Sequence, residues 1–380
     1  MKGALDGVTV IDLSRVLAGP FAAMILADLG AKVIKVESPG TGDDSRSFPP
    51  MINGVSAYFA SVNRGKESIA LNLKDENDKQ ILHKLLSKAD VVVENFRPGV
   101  MERLGFGWDT IHPKYPKLIY ACASGFGHTG PYSQRAAYDM VVQAMGGIMS
   151  ITGTPDGEPV RVGTSIGDLT AGLYTVIGII SALYSRKETG EGCKVDVAML
   201  DGQVAMLENA IARYLAEGEI PQPLGARHPS ISPFGAFKTL DSYIIIAAGN
   251  DNLFAKLSTA IGLPDLKDDK RYLTNPLRVE NVEELKKDLE SVLQTKTTVE
   301  WMKIINTAGV PCSPINTVKD VIEDSQVNAR NMIIETIDEK AGVIKMAGNP
   351  IKMSGFDDPK VRVKAPGLDE NRAEILKFIE

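Results

Sequence analysis

The chain has 380 residues, with 42 lysines and arginines against 48 aspartates and glutamates, a formal charge of −6 and 44% apolar residues. This composition excludes wholesale disorder. It also argues against a nucleic-acid partner, because there is no basic block to neutralise phosphates. At roughly 150 residues per domain, the length predicts two domains, or a large one carrying a smaller one.

Residues 8–13 form a short apolar run with β-branched side chains, which reads as a strand. Pro20 opens a helix over 21–29 and Gly30 closes it, the expected placement of the two residues. A strand over 31–36 completes a β-α-β unit. A strand is predicted at 68–73, then an amphipathic helix over 75–88 with Ile81, Leu82, Leu85 and Leu86 on one face. Strands follow at 91–93 and 117–123, helices at 138–149 and 168–186, a strand at 194–199 and a helix at 201–216. Alternation of this kind predicts a mostly parallel sheet covered on both faces.

The texture changes at 219–232, where Pro221, Pro223, Gly225 and Pro229 read as a linker. A hairpin is predicted from 234–237 and 243–248, with helices at 253–261, 282–293 and 299–308 and a strand at 310–315. Strand-like, Pro- and Gly-rich sequence over 333–367 leads to a final helix at 369–378. The resulting division is a large domain over 1–218, a linker over 219–232 and a small α+β domain over 233–330. Residues 331–380 form a return linker, with the linking stretch at about 340–367, and the end of the large domain.

Cys122, Cys193 and Cys312 are far apart, which fits a reducing compartment better than a disulfide framework. The four histidines are scattered and no Cys-x-x-Cys or His-Glu-x-x-His pattern occurs, so no metal site is expected. The N-terminus lacks the apolar run of a signal peptide. The apolar stretch over 171–184, about 14 residues, is too short to span a bilayer and reads as a buried helix. A cytoplasmic protein without a membrane partner is the expectation.

Several segments can carry chemistry. The turn Leu13-Ser14-Arg15-Val16-Leu17-Ala18-Gly19-Pro20 has one glycine rather than Gly-x-Gly-x-x-Gly, and no P-loop occurs, so a nicotinamide or flavin site lacks its sequence basis. Asp168 follows Gly167 and opens a long, otherwise uncharged helix. It can be an N-cap, or a carboxylate nucleophile kept ionised by the helix terminus. The loop Ser124-Gly125-Phe126-Gly127-His128-Thr129-Gly130-Pro131-Tyr132 follows a strand, where open α/β sheets place ligands, but it can equally be a plain tight loop. His128 alone does not indicate acid–base chemistry. Lys35, Arg46, Arg64, Lys66, Lys74, Arg97, Arg103 and Arg135 are surface charges, or, where several gather on one edge, a phosphate site.

Taken together, the order and spacing of the motifs resemble the family III coenzyme A transferases, a superfamily that also holds the α-methylacyl-CoA racemases. The resemblance rests on Leu5-x-Gly7-x-x-Val10-x-Asp12-Leu13, Ala18-Gly19-Pro20, Leu29-Gly30-Ala31-x-Val33-Ile34-Lys35-Val36-Glu37 and Asn63-Arg64-Gly65-Lys66. It continues through Leu71-Asn72-Leu73-Lys74, Asp90-Val91-Val92-Val93-Glu94-Asn95-Phe96-Arg97-Pro98-Gly99, Gly125-Phe126-Gly127 and Gly167-Asp168. It ends with Arg186-x-x-x-Gly190-x-Gly192-x-x-x-Asp196-Val197-Ala198-Met199.

The resemblance implies a Rossmann-like large domain with a smaller α+β domain, in an interlocked homodimer. It implies Asp168 as the nucleophile that forms covalent acyl and CoA adducts. Leu17, Ala18, Leu71, Asn72, Leu73, Lys74, Asn95, Phe96, Arg97, Arg103, Ala136, Ala137, Tyr138 and Asp139 fall on segments that line the CoA site. Ser38 and Ala136 stand where formyl-CoA transferase has basic residues, and Arg135 and Lys35 are the neighbouring replacements. The implied substrates are an acyl-CoA and a carboxylic acid, with no tightly bound cofactor and no metal. Tyr138 stands where the racemases place a histidine. Racemisation needs groups that titrate near working pH, so tyrosine, with a reference pKa of about 10, favours the transferase. The implied route runs through an aspartyl anhydride and an aspartyl–CoA thioester. Gly125, Gly127 and the loop at Gly249-Asn250 are candidate oxyanion contacts, with the small domain as a lid. Arg227-His228-Pro229-Ser230-Ile231 reads either as a rigid linker or as a contact for a short dicarboxylate acceptor. A racemase-type epimerase and a non-catalytic acyl-CoA-binding paralogue are the alternatives.

Overall fold

The structure is a computed structural model that describes residues 3–380. The contacts divide it into two compact units. The larger comprises the chain up to Met149, Arg161–Glu219 and Ser325–Glu380; the smaller comprises Ser150–Val160 and Ile220–Asp324.

In the larger unit, β1 (Thr9–Asp12), α1 (Ala18–Asp28), β2 (Lys32–Glu37), β3 (Lys66–Ala70), α2 (Glu76–Lys88), β4 (Val91–Glu94), β5 (Ile119–Ser124), α3 (Asp139–Met145), α4 (Ile166–Thr189) and β6 (Lys194–Ala198) follow one another. The six strands form one sheet in the order β3-β2-β1-β4-β5-β6. All five pairings are parallel. Alternate residues go to opposite faces, and both faces are buried. Ile11, Ile34, Ile69 and Val92 pack with Leu82 and Leu85 of α2, whereas Val10, Val33, Val91 and Val93 pack with Ala22, Ile25 and Leu26 of α1. Each such buried aliphatic side chain contributes about 1.5–3 kcal/mol relative to exposure. The strand order reverses between β1 and β4, so the loops after these two strands diverge and leave a crevice at their carboxyl ends.

Several boundaries differ from the sequence reading. The strand read at 68–73 ends at Ala70, so Leu71, Asn72, Leu73 and Lys74 lie in the loop after it. The helix read at 138–149 is broken at Gly146 and Gly147, the latter at φ +84°, into α3 and a short helix Ile148–Ile151. The helix read at 201–216 is two helices, Met199–Met206 and Asn209–Glu217, separated where Glu208 takes φ +34°. Helical propensity does not register one residue in such a conformation.

The helix over 171–184 extends to 24 residues as α4 and is only half buried. It is the one helix among the described residues long and apolar enough to cross a membrane, yet Ala171, Val176, Ile179 and Ala182 are buried against the sheet and α1. The stretch at 340–367 is not a plain linker. Gly342–Ala347 pairs antiparallel with Ile333–Asp338, and Val361–Arg362 adds a parallel third strand.

In the smaller unit, the hairpin Phe234–Lys238 and Tyr243–Ala247 gains Cys312–Pro314 as a third antiparallel strand. Phe237, Ile244 and Ile246 pack with Phe254, Leu285, Leu289, Trp301 and Ile305 from the helices.

Candidate active site

The turn after β1 is built on buried charge. Asp12 lies fully buried and accepts from Lys66 Nζ at 2.8 Å, while its other oxygen takes the Ser14 backbone N–H at 2.9 Å and the Ser14 hydroxyl. Lys35 Nζ donates to the Ser14 carbonyl at 2.7 Å and pairs with Asp43 at 2.9 Å. Asp43 in turn accepts the Val16 N–H at 3.1 Å. The result holds Val16 at φ +68°, an uncommon conformation for a β-branched residue and one that is found where surroundings over-determine the backbone. Burial opposes ionisation of Asp43, but Lys35 and the Ser45 N–H hold its pKa at about 2. Burial pulls Lys66 down to about 8 against the attraction of Asp12.

This overturns part of the cation reading. Lys35, Arg64 and Lys66 are buried, and Arg46 is paired with Glu37 at 2.6 Å. Arg64 pairs with Asp28, also at 2.6 Å. These four charges are held in ion pairs, and none of them lines either of the two cavities described below. Lys35, read as a replacement phosphate contact, is fully enclosed by the turn it supports.

At the crevice between β1 and β4 lies a cavity of about 430 Å³. Leu17, Ala18, Asn95, Phe96, Arg97, Ala137, Tyr138 and Asp168 line it, so the structure brings these expected residues together. Arg15, Val16, Asp44, Ser133, Arg135 and Met199 line it too, and of these only Arg135 is expected from the sequence as a contact for the ligand. Asn95 spans the crevice: its Oδ1 accepts the Arg15 N–H at 2.9 Å and its Nδ2 donates to the Arg15 carbonyl at 2.7 Å. The Arg135 guanidinium lies over the rings of Tyr132 and Phe126, at 4.6 and 5.5 Å from their centres.

A second cavity of about 470 Å³ adjoins the first, sharing Arg15 and Phe96, and is lined by Leu71, Asn72, Leu73, Lys74 and Ser38. Arg103 and Ala136 are exposed and line neither cavity. Asp139 lines neither and has a structural role. Its Oδ1 accepts the Gly167 N–H at 2.8 Å and its Oδ2 accepts from Gln143 at 2.7 Å.

Asp168 is not an N-cap. Ser165 holds that position, and the Asp168 carboxyl makes no capping bond. The helix terminus does not hold it at an ordinary carboxylate value either. Burial, reinforced by the charge of Asp139, pushes its pKa up to about 7. The physical reason is that the side chain is shut away from water beside the Asp139 carboxylate, which itself takes the Gly167 N–H at 2.8 Å.

Gly125 cannot carry a side chain, because a Cβ there would sit 2.3 Å from Ala137 Cβ. The Gly127 N–H donates to Ser124 Oγ at 3.0 Å and is therefore not available to an oxyanion. In the smaller unit, Asn250 caps a helix by accepting the Leu253 N–H at 2.9 Å. The His228 ring stacks on Phe234, and its Nδ1 accepts the Ser230 N–H at 3.1 Å.

Residues 5–372 match the family described as CoA-transferase family III. Acetyl-CoA:oxalate CoA-transferase of Acetobacter aceti is 49% identical over 377 residues, covering 99% of this chain and 96% of that protein. Succinyl-CoA:glutarate CoA-transferase of Mus musculus is 43% identical, covering 99% of this chain and 86% of that protein. Among solved structures, a CAIB/BAIF family protein from Brucella suis superimposes with a TM-score of 0.89 at 41% identity, each chain covered in full.

Proposed function

Given that this chain belongs to CoA-transferase family III and is a CoA-transferase, we propose that the Asp168 carboxylate carries the acyl group and CoA in turn. The observation that supports this most is the placing of that carboxyl. It sits without a capping partner in a cavity at the sheet's switch point, with arginines around it and a pKa of about 7. A carboxylate of that pKa is more nucleophilic than an ordinary one and is still ionised in good part at neutral pH.

In the proposed reaction, an Asp168 oxygen attacks the thioester carbonyl of the donor acyl-CoA. The carbon–sulfur bond breaks, leaving an aspartyl–acyl anhydride and CoA thiolate. The thiolate attacks the aspartyl carbonyl and expels the donor acid, giving an aspartyl–CoA thioester. The acceptor carboxylate attacks that thioester and releases the thiolate with formation of a second anhydride. Attack of the thiolate on the new acyl carbonyl yields product acyl-CoA and restores Asp168. Each step exchanges one activated acyl group for another, so the cycle needs no external energy source.

The CoA moiety is proposed to occupy the two adjoining cavities, against residues 71–74 and 95–97, with Arg97, Arg135 and Lys74 as the cations facing its phosphates. A short dicarboxylate is the proposed acceptor, since the names of the two relatives above specify oxalate and glutarate. A homodimer is proposed as the functional form and the cytoplasm as its location, a reading that the three free cysteines support.

The test is direct. Asp168→Asn should fold and bind CoA but exchange no thioester. Mass spectrometry of wild-type enzyme incubated with acyl-CoA, then digested, should find an adduct on the peptide containing Asp168. Turnover by the Asn variant at the wild-type rate would overturn the assignment.

A further inference from the structure

Beneath the two loops that wall the Asp168 cavity lies a buried polar cluster that the proposed reaction does not use. Glu94 ends β4, and its side chain is 2% exposed; the His128 side chain, beyond β5, is 8% exposed. Glu94 Oε2 accepts the backbone N–H of Phe96 at 2.8 Å, which fixes the loop carrying Asn95, Phe96 and Arg97. The His128 backbone N–H donates to Asp196 of β6 at 3.0 Å, which fixes the end of the loop carrying Ser124 and Gly125. Between the two side chains, His128 Nε2 faces Glu94 Oε1 at 3.6 Å and has no hydrogen-bond partner. Such an orphaned buried atom needs a reason.

The ring's proton can be assigned from its neighbours. Lys194 Nζ lies 3.1 Å from His128 Nδ1. An ammonium has donors only, so Nδ1 accepts and the ring proton is on Nε2, pointing at Glu94. Cys122 brings its sulfur close as well, and ligand atoms of Glu94, Cys122 and His128 all lie within 4.8 Å of one another, a spread that suits a metal ion. One feature counts against such an ion: the Lys194 ammonium, 3.1 Å from the His128 ring, places a positive charge beside any cation held there.

We propose that Glu94 and His128 are positioning residues, a clasp from β4 to the loop after β5 that sets the spacing of the two loops walling the cavity. The inference rests on the reading that this cavity takes CoA. Its strength depends on the charge of Glu94. When neutral, the carboxyl is a weak acceptor for the Nε2–H across 3.6 Å. When ionised, it accepts both the Nε2–H and the Phe96 N–H, and the loops are drawn together. The charged and titratable groups facing Glu94 are Glu102, Asp196, Lys194, Cys122, Tyr120 and His128. Burial pushes Glu94 up to about 8, with Glu102 and Asp196 adding to it and the Phe96 N–H and Lys194 opposing. The clasp therefore tightens across the weakly alkaline range.

Equilibrium binding of CoA to wild type, Glu94→Gln and His128→Gln between pH 6 and 9 tests this. The wild-type dissociation constant should fall on the order of tenfold as pH rises through 8, while both variants stay flat over that step. Amide-exchange protection of the peptides covering 95–97 and 124–128, taken relative to the base-catalysed intrinsic rate and measured without ligand, should rise over the same step in wild type only. Identical pH profiles in wild type and Glu94→Gln would overturn the clasp. So would one equivalent of tightly held zinc in wild type that is lost in Glu94→Gln. Should wild type not bind CoA at all, the CoA reading fails, and the exchange rates still decide the clasp.

Discussion

Asp139 acts on Asp168 through its charge. Its carboxylate takes the Gly167 N–H at 2.8 Å and stands close enough to add to the burial that raises Asp168 to about 7. Two acidic groups at one helix start thus divide the labour. One stays anchored to the backbone and the other is left with a pKa near neutrality.

The rate should report this. The nucleophile is the ionised form, so kcat/KM for acyl-CoA should rise about tenfold per pH unit below 7 and level off above it. Asp139→Asn removes the neighbouring charge and should move that inflection to lower pH. A pH–rate profile of both proteins checks it, and an unmoved inflection in the variant would discount the role of Asp139.

Stability carries the same signature with a defined sign. Asp168 has a folded pKa above its unfolded one, so its contribution is fully present below about pH 4 and is lost as pH rises through about 7. Asp168→Asn has no such dependence. Relative to wild type it should be about equal in stability at pH 4 and more stable at pH 8, by roughly 1–3 kcal/mol. Denaturant melts at the two pH values measure the difference.

The buried ions under the first turn should be unforgiving. Asp12→Asn leaves Lys66 and Lys35 without their shared acid and should destabilise the larger unit by about 3–5 kcal/mol. Urea unfolding followed by circular dichroism would read this, and a loss under 1 kcal/mol would contradict it.

Close approach makes Gly125 a sensitive position. Gly125→Ala puts a Cβ 2.3 Å from Ala137 Cβ, which must push apart two segments of the cavity wall. Transferase activity should drop on the order of 100-fold, and the melting temperature should fall with it, since overpacking costs about 1–3 kcal/mol.

One face of α4 should be a contact between copies. Leu173, Ile177, Ile180 and Tyr184 recur every three or four residues and are all exposed. With a homodimer as the proposed form, Ile177→Asp should shift the light-scattering mass from two chains towards one. An unchanged mass would remove this face from the interface.

Much of this architecture is legible in the chain as written. Alternating strand and helix patterns, Pro20 and Gly30 around the first helix, and the apolar faces of strands and helices follow from period and local chemistry, which neighbouring residues decide among themselves. The motif order of CoA-transferase family III is legible too, and it marks Asp168 and the loops at 17–18 and 95–97. Glu208 is a miss of a different kind, since one residue at φ +34° splits a helix without any propensity signal.

Charge is where the linear reading fails. Lys35, Arg46, Arg64 and Lys66 look like surface cations in sequence, and only the folded chain buries them against Asp12, Asp43, Glu37 and Asp28, partners up to 54 residues away. The pKa of Asp168 is likewise set by burial together with the charge of Asp139, and the Glu94–His128 clasp by residues from three strands. Local pattern determines which elements form because their hydrogen bonds and apolar periods are short-range. Which charges meet, and how far water is excluded from them, depends on strand order and packing, which arise only when distant segments close on one another.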